Sequence, residues 1–134
     1  MLAAASCFGG DTRTYPPRYL RGRDGSRRLG PTGRPLLEYD VALLARQPNE
    51  LNLSTTVTIC SGLFSRGTYG VVRAFTDPVL SQQNHQRLAA LVDPGRFWML
   101  MYVPVFQGAE GLQTLTPDLT RPMHVLTVSP PNGG

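Results

Sequence analysis

Residues 55–70 read Thr-Thr-Val-Thr-Ile-Cys-Ser-Gly-Leu-Phe-Ser-Arg-Gly-Thr-Tyr-Gly. Thr55–Cys60 is rich in β-branched side chains, which pack well on a pleated surface, and it predicts a strand. Ser61 to Gly67 contains Gly62 and Gly67 and predicts a loop. From Thr68 to Thr76 the spacing turns helical, with Val71, Val72 and Phe75 on one side. A strand, a glycine loop and a helix in that order open an α/β unit, in which ligands bind at the carboxyl end of the strand.

Toward the C-terminus, Asp77-Pro78 ends the first helix, because a residue before proline is pushed out of helical geometry. A second helix is expected from about Val79 to Val92. Leu80, Leu88 and Leu91 form its apolar side, and Asp93-Pro94-Gly95 stops it. Phe97–Val103 is apolar without alternation, as a strand covered on both faces would be. Pro104 is expected to break that strand or mark its edge. Gly108 to Gly111 reads as a turn, residues 112–121 fit neither pattern cleanly, and Val125–Val128 reads as a last strand.

Toward the N-terminus, Leu37–Gln47 predicts a strand, and Pro48-Asn49-Glu50-Leu51-Asn52 a turn. Residues 1–36 read as an irregular arm punctuated by proline and glycine. It has room for a short hairpin, Arg18–Arg21 returning through Arg27–Leu29 across Arg23-Asp24-Gly25. The organisation is therefore a basic arm at 1–36, an α/β domain at 37–128 and a tail at 129–134. The expected architecture is a small two- or three-layer sandwich with a mostly parallel sheet of about four or five strands and two or three helices. The helix pair would join the strand at Thr55–Cys60 to that at Phe97–Val103 by a right-handed parallel crossover.

The charge is unevenly placed. The chain has 134 residues and a net charge of +4, and all 13 basic residues are arginine. The complete absence of lysine fits GC-rich coding, so an arginine here also fills solvent positions that lysine would otherwise take. Seven arginines and two aspartates in residues 1–34 give +5, and six arginines against seven acids in the rest give −1. A basic arm of this kind binds phosphate by counterion release. Arg18, Arg21, Arg23, Arg27 and Arg28 are its nucleic-acid candidates. Cys7 and Cys60 are expected to be free thiols in a reducing compartment, and no apolar run has the length of a membrane helix. A cytoplasmic location and no membrane partner are expected.

The loop at Cys60–Gly70 is the main ligand candidate. Glycines permit close backbone approach, helix-start amides favour an anion, and Arg66 adds charge. Ser61, Gly62, Ser65, Arg66, Gly67 and Thr68 are the residues expected to bind a small anionic or nucleotide-like ligand. Gly62 and Gly67 have the spacing of a phosphate-binding P-loop, but Thr68 and Tyr69 stand where that loop needs Lys and Ser/Thr, which excludes it. The alternative reading of the loop is a βα turn in which Ser65 or Gly67 caps the helix.

Catalysis would require Cys60, Ser61 or Ser65 as nucleophile on a nucleoside-like substrate, with His85 or His124 as base for the thiol. Asp77, Asp93, Glu110 and Asp118 read as caps and turn formers. No metal or other cofactor is expected, because His85 and His124 lie 39 positions apart without ligand spacing.

Three segments carry a resemblance: Tyr39-Asp40-Val41-Ala42-Leu43-Leu44-Ala45-Arg46-Gln47-Pro48-Asn49, Thr56 to Gly70, and Val71-Val72-Arg73-Ala74-Phe75-Thr76-Asp77. Together they resemble an uncharacterised actinobacterial Rossmann-like domain often attached to helix-turn-helix modules. The likeness covers roughly residues 38–128. The first strand–turn–helix unit of that pattern is echoed only by Phe8-Gly9-Gly10. The resemblance implies a truncated Rossmann-like fold and a non-catalytic ligand-sensing or protein-interaction domain of a bacterial regulatory protein, with a protein partner or a second copy among its partners.

Overall fold

The computed structural model describes residues 15–107, 113–117 and 124–129. Expectations that fall on Cys7, Phe8-Gly9-Gly10, Arg13, Gly108–Gly111, Asp118 and the tail from residue 130 lie outside these residues. The elements are β1 (Arg18–Tyr19), β2 (Leu37–Asn49), β3 (Asn52–Gly62), α1 (Ser65–Thr76), α2 (Ser81–Leu91), β4 (Phe97–Gln107), β5 (Gln113–Pro117) and β6 (His124–Val128).

The two longest apolar runs become the centre of the sheet. β2 and β4 pair antiparallel from Tyr39↔Pro104 to Arg46↔Phe97. The other edge of β2 takes β1 at Leu37–Tyr39 and β3 from Ala42 onward. The other edge of β4 takes β6 and then β5. The six strands form one all-antiparallel sheet curled into a half-barrel.

This corrects the mostly parallel α/β sandwich and, with it, the Rossmann-like resemblance. An unbroken apolar strand reports that both its faces are covered and is silent on the direction of its neighbours. β3 and β4 do run in the same sense, since each is antiparallel to β2, but β2 lies between them. The α1–α2 connection therefore passes over an inserted antiparallel strand and joins no adjacent parallel pair.

The prolines fit the ladder. The amide of Leu63 donates to Val41 O, so odd-numbered residues of β2 bond to β3, and even-numbered ones face β4. Pro48 turns its missing donor toward β4 at a level where β4 has not begun. Likewise the even-numbered residues of β4 face β6 and β5, as Trp98 O accepting from Ser129 N shows. Pro104 falls where that neighbour changes from β6 to β5, so β4 runs through it to Gln107.

Helix α1 buries Gly67, Gly70, Val71 and Ala74, a stripe at i, i+3, i+4 and i+7. Three of the four are small, which lets the helix lie close on the sheet. The core between helices and sheet holds Ala42, Leu44, Val71, Leu88, Phe97, Met99 and Met101. On the opposite face Val41, Ala45, Trp98 and Leu100 form a second cluster. Among the described residues, no helix is long and apolar enough to cross a membrane.

Candidate functional site

The strand-to-helix turn is built around a carboxylate that arrives from another strand. Asp40 lies in β2, in phase with Ala42 and Leu44, so its side chain points toward α1. It is fully buried. Its Oδ2 accepts from the amides of Phe64 at 3.0 Å and Gly67 at 2.8 Å, and its Oδ1 from its neighbour Val41 at 2.8 Å. Burial pushes the Asp40 carboxyl above the ordinary aspartate range, against the pull of these amides and of Arg66. The opposite end of the turn is closed by the amide of Gly62, which donates to Thr68 Oγ1 at 2.8 Å.

Gly67 and Gly62 are required by this closeness. A Cβ on Gly67 would run into the Asp40 carboxylate, and one on Gly62 would meet Gly67 Cα at 2.6 Å. The six residues expected to hold a small anion are thus brought together at one turn. Ser61 and Ser65 are exposed, while Arg66 and Thr68 are half-buried. The carboxylate of Asp40 occupies the anion-favouring position at the amides of Phe64 and Gly67. Sequence reasoning passed over Asp40. Its signal was an acid next to Val41 and in phase with Ala42 and Leu44 on an apolar strand, which must find donors once buried.

The residues considered for catalysis are placed apart. Cys60 packs against the helix-side core, and burial pushes its thiol up. His124 lies on β6 opposite Tyr102, its ring edge-on at 5.5 Å, on the other face of the sheet. His85 stands edge-on to Phe75 at 5.2 Å, with Nδ1 at 2.7 Å from Ser81 O. Asp77 receives the amides of Val79 and Leu80 and pairs with Arg73 at 2.9 Å, and Asp93 accepts from Gly95 N. Among the described residues, no group of three His, Cys, Asp or Glu is arranged to hold a metal ion.

The arginine-bearing segment is folded into two linked turns. Gly22 N donates to Ser26 O and Gly30 N to Arg34 O, with Gly25 (φ 81°) and Gly33 (φ 77°) in the left-handed region at the two bends. Three backbone bonds then tie the segments into a ring: Leu20 N to Leu36 O, Leu36 N to Arg28 O, and Arg28 N to Leu20 O, each 2.9 Å. Arg18, Arg21, Arg23, Arg27, Arg28 and Arg34 are all exposed. Among the described residues, three find internal partners: Arg18 lies 3.9 Å from Glu38, Arg21 donates to Gly25 O, and Arg27 stacks on Tyr19 at 4.2 Å.

Comparison with known proteins finds no matching family model, no matching curated protein and no matching solved structure.

Proposed function

We propose that this chain is a binding domain, not a catalyst, and that its arginine-bearing double hairpin takes a polyanion of nucleic-acid type. The observation that carries this reading is the concentration of charge on an ordered scaffold. Residues 18–34 hold six arginines and one acid, Asp24, while the chain as a whole is only +4. Asp24 is engaged within its own loop, its Oδ1 accepting from Ser26 Oγ at 2.7 Å. Guanidinium groups bind phosphate bidentately, and a two-stranded ribbon has the width to follow a nucleic-acid groove.

The small-anion reading of the turn at Ser61–Thr68 is weaker, because a second anion there would sit against the buried carboxylate of Asp40. Of the side chains that catalysis would need, Cys60 packs on the helix-side core, and His85 and His124 stand apart against Phe75 and Tyr102.

Titrating labelled duplex and single-stranded oligonucleotides at several salt concentrations tests the proposal. Log affinity should fall linearly with log salt. Replacing Arg23 and Arg28 together by alanine should flatten that slope by about 2. Salt-insensitive binding, or a slope that ignores this double replacement, would remove the hairpins from the reading.

A further inference from the structure

The strand β3 lies at an edge of the sheet, and over its regularly paired part, Thr56 to Gly62, it lacks the proline, charge and bulge that normally blunt an edge. It pairs with β2, and among the described residues no strand covers its other side. It has no proline and no charge. The run from Leu51 to Ser65 is uncharged and is flanked by Glu50 and Arg66. Residues 52–59 are all exposed, including Val57 at 40% and Ile59 at 41%.

The outer edge is open over a short, centred window. Odd-numbered residues of β3 bond to β2, so Thr56, Thr58 and Cys60 turn their amides and carbonyls outward. At one end of this window the Ser54 amide is taken by Asn52 Oδ1, and at the other the Gly62 amide by Thr68 Oγ1. The side chain of Thr58, at the midpoint, is held from within by Arg46 Nε at 3.0 Å.

We infer that this edge pairs antiparallel with the same edge of a second copy of the chain, about a two-fold axis at Thr58. That register matches Thr58 with Thr58 and each Thr56 with Cys60 of the copy, every pair exchanging two backbone bonds. On the far face it sets Val57 beside Ile59 of the copy, twice, at the close spacing of non-hydrogen-bonded pairs. The flanking charges choose a like strand as occupant: Glu50 stands in the bend that precedes β3 and Arg66 in the first turn of α1 that follows it, so the acidic end of one strand lies toward the basic end of the other. A parallel pairing would bring like charges together.

Light scattering on the full chain across the micromolar range should show a dimer. Val57→Lys should weaken it about tenfold or more, and Thr58→Pro, which removes an outward donor and no backbone bond to β2, should do the same. Thermal melts establish that both variants are folded. On the unaltered chain, a mixture of labelled and unlabelled copies should give intermolecular contacts between Val57 and Ile59 methyls. A monomer throughout the range overturns the inference, whatever else occupies the edge. So does a dimer without those methyl contacts, or one indifferent to both substitutions. None of these outcomes bears on nucleic-acid binding by the arginine hairpins, which is read out separately by salt dependence.

Discussion

Asp40 shows how one buried carboxylate organises a turn. It gathers three backbone donors from two parts of the chain. Alanine at this position would strand those donors in an apolar setting at about 1–3 kcal/mol each, for a loss of roughly 3 kcal/mol or more in denaturant unfolding. The pH dependence follows from the raised carboxyl. Above the ordinary aspartate value of 3.8 the unfolded chain releases the Asp40 proton first, while the folded chain still holds it. The folded state then binds more protons, so Asp40's contribution to stability falls as pH rises from 3.8 to its raised value, and is level above it. Asp24 and Asp77 are shifted the other way, and their contributions are lost as pH falls. The stability of Asp40→Asn minus that of the unaltered chain should therefore increase with pH over the Asp40 window and then flatten. A difference that is level throughout would show that burial does not govern this group.

At the scale of elements, much of the fold was legible and its pairing was not. The Asp77-Pro78 break and the Asp93-Pro94-Gly95 stop mark helix ends in both sequence and structure. The turn at Pro48–Asn52 was also read, and it held the clue to direction. A connection that short joins only antiparallel neighbours, because a parallel return needs a dozen residues or more. The longer 63–96 connection invited a parallel crossover, and nothing local in those residues announces that β2 will lie beneath it. The site divides in the same way. The turn residues stand out by composition, whereas Asp40 closes the turn from 24 positions before Phe64, a contact made only by the tertiary fold. Gly62 is where strand, turn and helix are most tightly joined. Gly62→Ala would drive a methyl group into the backbone of Gly67 and Thr68. It should cost about 1–3 kcal/mol, as overpacking does, seen as a lower midpoint in thermal unfolding. A neutral substitution would mean that α1 sits further from β3 than described.

On the scale of the whole molecule, the place of β2 has a kinetic meaning. β3 is reached from it by a two-residue bend, whereas β4 must return across the whole 63–96 connection to find the remaining edge. Closing the short loop costs little entropy and closing the long one costs more, so the β2–β3 hairpin is available as a template before β4 docks. β6 joins only once β4 is in place. In stopped-flow chevrons, Leu44→Ala in the shared strand should slow refolding, whereas Val128→Ala at the late edge should chiefly speed unfolding. Equal slowing by both would reverse the sequence. A chain that assembles in this order exposes its bare hairpin before the helices close over it. The time taken by the crossover then sets how long two nascent molecules have to meet through that hairpin.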